Sequence, residues 1–288
     1  MNKLKTFFLA EIETLLKGVG QIMLQNNAWT GLFFLAGIFY GSIAMGVAAI
    51  LSVTIGTYTA KLFKYDEAEI NAGIYGFSAT LVGVALTCLF DPTLIIWLCI
   101  VIGSVLATVL QHFFSIKKIT AFTFPFIVVT WVFLFVFHQF PSLAEAQVPI
   151  ADNALNNWFA AMTLSFGQVI FQGSYLPGLL FFCGVFINHP IAAIYGEVAA
   201  ALCSLVAYQL GQPINDIYLG LLGYNGVLCA ITFSGKKISD FILAFISVIL
   251  SVLITIQMRN MGLPVLTFPF VLATWLTLLV KRAAKIRS

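Results

Sequence analysis

The chain has 288 residues, 61% of them apolar and only 9% charged, with a formal net charge of +3. A soluble domain of this length needs far more charge to cover its surface, and a small positive balance gathered at segment ends leaves no footprint for nucleic acid. Apolar runs near 20 residues recur from end to end, which predicts an all-α integral membrane protein, because in lipid each backbone amide must be paired within its own segment.

The first ten residues, Met1–Ala10, hold two lysines and a short apolar run, but Glu11 and Glu13 interrupt it before any small-residue cleavage site, so no removed signal peptide is read here. Spans are predicted near 6–24, 42–61, 69–89, 93–114 and 119–139, and the piece at 29–41 is too short to cross a core that needs about 20 residues. After a polar stretch, the second half gives 158–173, 190–209, 215–233, 240–258 and 263–280, with a short piece at 176–188. Hydropathy leaves open which of the two segments beside each Gly-Gln pair re-enters and which crosses. The five cysteines, Cys88, Cys99, Cys183, Cys203 and Cys229, lie in apolar stretches without metal-ligand spacing and read as buried thiols.

The two halves are copies of one unit. An offset of 147 residues carries Gly20-Gln21, Gln25, Gly31-Leu32, Phe34, Gly37 and Phe39 onto Gly167-Gln168, Gln172, Gly178-Leu179, Phe181, Gly184 and Phe186. It also carries Gly73, Gly76, Phe77 and Leu81 onto Gly220, Gly223, Tyr224 and Leu228. Further on the offset falls to 144, taking Thr123-Phe124-Pro125-Phe126 and Thr130-Trp131 to Thr267-Phe268-Pro269-Phe270 and Thr274-Trp275, so the second copy lacks three residues. The expected domains are residues 1–145 and 146–288.

Five crossings per copy is an odd number, so the second copy must run upside down relative to the first. With the N-terminus inside, the cytoplasmic segments carry Lys3, Lys5, Lys61, Lys64, Lys117, Lys118, Lys236, Lys237, Lys281, Arg282, Lys285 and Arg287. The outer loop from Phe140 to Asn157 holds Glu145 and Asp152 and no Lys or Arg. That is the positive-inside pattern. Arg259 is the exception, and Lys17 inside the first span either snorkels or pairs with Glu13. Inverted repeats place a substrate path at the repeat interface near mid-membrane.

Ionisable groups are scarce inside the spans. Glu197 is the only carboxylate well inside a span of the second half and reads as structural; His112, His138 and His189 fall at span ends. Ion-coupled transporters need intramembrane acids or histidines, so a neutral solute moving downhill is expected. The polar residues that do repeat are Gln21 with Gln168, Gln25 with Gln172, Thr123 with Thr267 and Thr130 with Thr274. Each must be paired with helix, backbone or permeant. Duplication beside helix breaks points Gln21, Gln168, Thr123 and Thr267 towards the path, whereas Thr130 and Thr274 read as helix–helix contacts. Pro125 and Pro269 open the amide ladder of their spans, and backbone carbonyls so freed are tolerated only in protein or facing water. Phe77 and Tyr224, a glycine-flanked repeat pair, are expected to wall a flat slot, with Phe171, Phe124 and Phe268 nearby.

The run Leu263-Pro264-Val265-Leu266-Thr267-Phe268-Pro269-Phe270, its partner Thr123-Phe124-Pro125-Phe126, Gly223-Tyr224-Asn225 and the two Gly-Gln pairs together resemble the urea transporter family over nearly the whole chain. The length is similar to that of the bacterial members. The resemblance implies ten transmembrane helices plus two re-entrant half-helices, a narrow pore in each protomer and a homotrimer. It implies a multi-pass protein of the inner (plasma) membrane with both termini cytoplasmic, urea and the lipid bilayer as its partners, no cofactor and no enzymatic activity. By the same resemblance Gln21 and Gln168 match pore-mouth positions, although some bacterial relatives carry Glu at the second. Thr123 and Thr267 with Leu81 and Leu228 match the central constriction, and Phe77 and Tyr224 match slot aromatics. Leu24 stands where some relatives have Phe and its mate is Phe171; Leu221 is likewise aliphatic where the position can be aromatic. A slot of rings suits a flat neutral solute, whose N–H edge is attracted by ring faces. The alternatives are a channel for ammonia or water, or an ion-coupled transporter. The histidines do not supply the mid-membrane pair of ammonia channels, and Phe-Pro-Phe stands where an aquaporin-like channel would repeat Asn-Pro-Ala.

Overall fold

The computed structural model describes residues 2–139 and 158–283. Glu145, Asp152, Lys285, Arg287 and the expected domain border near residue 145 lie outside the described residues. The chain forms two compact units, Met1–Pro149 and Ile150–Ser288, and every described element is a helix or turn.

The first unit comprises α1 (Asn2–Gly20), a 3-10 turn (Gln21–Met23), α2 (Ala28–Gly41), α3 (Ile43–Leu62), α4 (Glu67–Asn71), α5 (Phe77–Leu89), α6 (Leu94–Ile116) and α7 (Phe124–Phe137). The second comprises α8 (Trp158–Gln168), α9 (Tyr175–Asn188), α10 (Pro190–Gln209), α11 (Ile214–Tyr218), α12 (Tyr224–Phe233), α13 (Ile238–Asn260) and α14 (Phe268–Ala283). The helices α2, α3 and α4 map onto α9, α10 and α11 at the offset of 147, and α6 maps onto α13 at 144. The missing three residues fall at the end of the intervening helix, which has 13 residues in α5 and 10 in α12. Among the described residues four helices, α3, α6, α10 and α13, are long and apolar enough to cross a membrane.

Two expected spans in each unit are interrupted. Instead of one helix over 69–89, the first unit has α4, a turn and then α5; the second has α11, a turn and α12 in place of 215–233. The turn is forced by close packing: Gly73, at φ +78°, lies so near α1 that a β-carbon on it would sit 2.4 Å from the Gly18 amide nitrogen. The expected 119–139 helix begins only at Phe124, and the expected 263–280 helix at Phe268. Pro125 and Pro269 are therefore second residues of α7 and α14 rather than breaks within them. A proline there forfeits no ladder bond, since the first N–H groups of a helix have no intrahelical acceptor.

The depth of α1 is set by its contacts with α3. Glu11 pairs with Lys61 at the C-terminal end of α3 and accepts the Tyr58 hydroxyl at 3.2 Å. Gly18 packs at the middle of α3, where a β-carbon would come 2.8 Å from Val53 Cγ2. Lys17 pairs with Glu13 at 2.7 Å, one turn away. Arg259, the exception to the charge pattern, is ion-paired with Asp216. Glu197 stands on α10 between the outward-facing Ile194 and Val198, and its buried Oε2 meets no partner among the described residues.

Backbone conformation repeats at the same offsets as the sequence. Among the described residues the positive-φ positions form five pairs: Leu24 with Phe171, Lys64 with Gly211 and Gly73 with Gly220 at 147, then Lys118 with Gly262 and Phe122 with Leu266 at 144. Lys64, Gly211, Lys118 and Gly262 close the C-terminal ends of the four long helices, with Tyr65 N donating to Ala60 O at 3.0 Å in the first case. The other six positions lie in or beside the candidate site.

Candidate functional site

Gln21 follows α1 directly, and its Nε2 donates to the carbonyl of Ala72, the residue that caps α4, at 2.9 Å. Gln168 does the same in the second unit, donating to Leu219 O at the cap of α11 at 3.0 Å. The chain then turns sharply. Leu24 (φ 63°) and Phe171 (φ 57°) adopt the left-handed conformation, and the next glutamines fold back onto that turn, Gln25 Nε2 on Met23 O at 2.8 Å and Gln172 Nε2 on Ile170 O at 3.2 Å. Gln25 and Gln172 thus bond to backbone within their own loops, one of the partners that the sequence left open. A side chain on Gly20 would collide with the loop, its β-carbon 2.6 Å from Gln25 O, which accounts for the Gly-Gln pairing.

Thr123 and Thr267, both buried, stand at the N-terminal ends of α7 and α14, where their carbonyls accept the amides of Ile127 at 3.1 Å and Val271 at 3.2 Å. Each follows a left-handed residue, Phe122 (φ 49°) or Leu266 (φ 45°). In the second unit this corner is pinned by α12. The Tyr224 hydroxyl donates to Leu266 O at 2.6 Å, Asn225 Nδ2 donates to the same oxygen at 3.3 Å, and the Phe270 amide donates to Asn225 Oδ1 at 3.1 Å. The first unit has Phe77 and Ser78 at those positions, and the buried Ser78 hydroxyl finds no partner among the described residues. Tyr224 therefore acts as a clamp through its hydroxyl, whatever its ring faces, a role its aromatic character alone did not indicate.

Leu81 and Leu228 are fully buried one turn beyond Phe77 and Tyr224, on the same face of α5 and α12. Leu221, half-buried, sits in the turn after Gly220 and two residues past the Leu219 carbonyl that holds Gln168. Each unit thus assembles its own half of the predicted set. Gln21, Leu24, Phe77, Leu81 and Thr123 belong to the first; Gln168, Phe171, Leu221, Tyr224, Leu228 and Thr267 belong to the second. None of these residues carries a charge.

The urea transporter family model matches residues 12–282. The chain belongs to the urea transporter family. Urea transporter 1 of Rattus norvegicus is 25% identical over 301 residues, covering 96% of this chain and 78% of that protein. The Mus musculus protein of the same name is 24% identical with the same coverages, and that of Ovis aries is 23% identical over 93% of this chain and 77% of its own length. Membership of a transporter family, with long apolar helices, makes the chain a multi-pass membrane protein.

In this family member the three histidines have local duties. His189 caps α10 by accepting the Ala192 amide at 3.0 Å, His138 Nδ1 lies 2.9 Å from Leu134 O, and His112 stacks on Tyr65 with ring centroids 3.4 Å apart. Thr274 meets Cys229 Sγ at 3.8 Å across α14 and α12, as a helix–helix contact should, but the hydroxyl of its mate Thr130 finds no partner among the described residues. All five cysteines are free thiols. Sequence reasoning named Asn225 in the family run but gave it no role; it is fully buried and bonded both to Leu266 before α14 and to Phe270 within it, and an Asn inside an apolar run was the available signal. Sequence reasoning overlooked Glu69 and Asp216, acidic residues at the same repeat position on α4 and α11.

Proposed function

We propose that this family member is a passive, channel-like transporter that carries urea, and close amide analogues, down their gradient through a narrow neutral pore to which both units contribute. The observation that carries the reading is the duplicated corner chemistry. In each unit an uncharged glutamine is anchored to a carbonyl at a helix end, and a buried threonine follows a left-handed residue. A solute with one carbonyl and two amino groups finds hydroxyls, amide groups and carbonyls to replace lost water, while an ion would meet an uncompensated desolvation cost. Binding has to stay weak for release to be fast.

The same reading orders the membrane topology as ten crossings with inverted repeats, both termini cytoplasmic and three chains per assembly. In it α1 is the half-spanning element, and α2 takes the crossing that hydropathy gave to residues 6–24. From Glu11, level with the end of α3, to Gly20 it runs nine residues, about 14 Å at 1.5 Å per residue, roughly half the hydrocarbon core. Its repeat mate α8 takes the equivalent part.

Purified protein in liposomes is expected to accelerate urea efflux with no ion gradient present. Efflux no faster than from empty liposomes would end the assignment, and flux that follows an imposed proton or sodium gradient would move it to the ion-coupled class.

A further inference from the structure

The carbonyls that hold Gln21 and Gln168 belong to two very short helices, and both helices are tethered at the same place. Ala72 lies three residues past Glu69 of α4, and Leu219 three residues past Asp216 of α11. Asp216 is ion-paired with Arg259, the next-to-last residue of α13, with both side chains only partly exposed. Glu69 is tethered to the equivalent end of α6 by other groups. Its carboxylate accepts the Tyr75 hydroxyl, whose oxygen lies 3.1 Å from His112 Nδ1, and Thr108 Oγ1 donates to Tyr75 O at 3.2 Å. With the Tyr75 hydroxyl proton given to Glu69, His112 Nδ1 donates to that oxygen in the tautomer that carries its hydrogen there. The His112 ring is fixed in turn by Tyr65, stacked 6° from parallel.

None of these supporting groups is shared between copies. Tyr75 corresponds to Leu222, Thr108 to Val252 and His112 to Ile256, and Arg259 of the second copy corresponds to Ser115 of the first. The acid and its tether to the long helix are all that the two arrangements have in common. One chemistry replaced by another at an equivalent place indicates that the tether itself is required. Five-residue helices cannot hold their own orientation, because a single turn is unfavourable without outside contacts.

We infer that Glu69 and Asp216 are positioning residues for the solute path: each fixes a short helix so that its last carbonyl orients the glutamine beside it. The inference rests on the proposed pore and names what sets the geometry of its two mouths.

The test compares urea flux against urea concentration for reconstituted Asp216→Asn, Gln168→Met and the double variant, with flux expressed per reconstituted protein. Asp216→Asn is expected to raise the half-saturating concentration about fivefold, the factor set by the net contribution of one hydrogen bond, with maximal flux near the parent value. The double variant should match Gln168→Met alone, because the tether acts through that glutamine, and exchanging the charges in Asp216→Arg with Arg259→Asp should restore the parent curve. Multiplying effects in the double variant would overturn the inference, since Asp216 would then act elsewhere. If Asp216→Asn does not reconstitute, Tyr75→Phe, which deletes one hydroxyl and keeps the ring, decides the matter against Gln21→Met by the same comparison. Parent liposomes that carry no urea would sink the pore reading itself; a parent that carries urea with unchanged Asp216→Asn and Tyr75→Phe curves would sink only the tether.

Discussion

Substituting Tyr224 and Asn225 in turn separates their contributions to the Leu266 corner. Leu266 O accepts from both the Tyr224 hydroxyl and Asn225 Nδ2, and Asn225 Oδ1 accepts the Phe270 amide. Tyr224→Phe removes one donor but leaves Leu266 O bonded, so the loss is a single neutral hydrogen bond, about 1 kcal/mol. The first unit already holds Phe77 at the matching place, which indicates that the framework accepts the ring alone. Asn225→Leu keeps the volume but removes two bonds, the donation to Leu266 O and the acceptance of the buried Phe270 amide, for a total of about 2 kcal/mol. Thermal unfolding in detergent, followed by size-exclusion loss of the folded peak, should rank parent above Tyr224→Phe above Asn225→Leu. A Tyr224→Phe variant at least as damaged as Asn225→Leu would refute the reasoning, because the hydroxyl would then be holding more than this carbonyl.

Lys64→Gly and Lys118→Gly should each stabilise the fold by about 1 kcal/mol, since both lysines are left-handed where the other copy has glycine; unchanged or lowered melting would contradict this. Gly31→Ala and Gly178→Ala should both prevent recovery of folded protein, because their β-carbons would fall 1.9 Å from Leu16 O and 2.3 Å from Thr163 O; normal yields of either would show that the helix contact can open. Thr267→Val is expected to slow urea flux at preserved expression, while Cys99→Ala on the half-buried face of α6 leaves it unchanged. Equal flux in the two variants would remove Thr267 from the path.

The repeat, the membrane class and the family were legible in the sequence because they depend on composition and on residue identity at fixed offsets. Gln21 and Gln168 stood out for the same reason. What escaped was set by the backbone. Hydropathy averages over some 20 residues, so the apolar runs 69–89 and 215–233 looked continuous although a turn at Gly73 and Gly220 divides each. Pro125 reads in the sequence as a break in the ladder, but it is the second residue of α7, because the left-handed Phe122 ends the preceding loop just before it. No propensity marks a phenylalanine for that conformation. The Glu69 and Asp216 tethers were hidden because their partners differ between copies and lie 43 residues away in sequence for Asp216 and Arg259.

The two copies preserve backbone geometry more strictly than side-chain chemistry, and this limits what the geometry is for. A left-handed residue other than glycine costs about 1–2 kcal/mol, so Leu24, Phe171, Phe122 and Leu266 together carry on the order of 4–8 kcal/mol of strain. That sum is comparable with the whole net stability of a typical fold. Glycine would relieve it at each position, and at the helix ends one copy does use glycine, at Gly211 and Gly262. At the four corner positions neither copy does. The retained side chains must therefore contribute something that the left-handed turn alone does not, and strain of this kind concentrates at working sites. Leu24→Gly separates the two demands, since it should raise the melting temperature while impairing urea flux or its discrimination against thiourea. A variant both more stable and fully competent would mean that the strain at this corner serves no transport purpose.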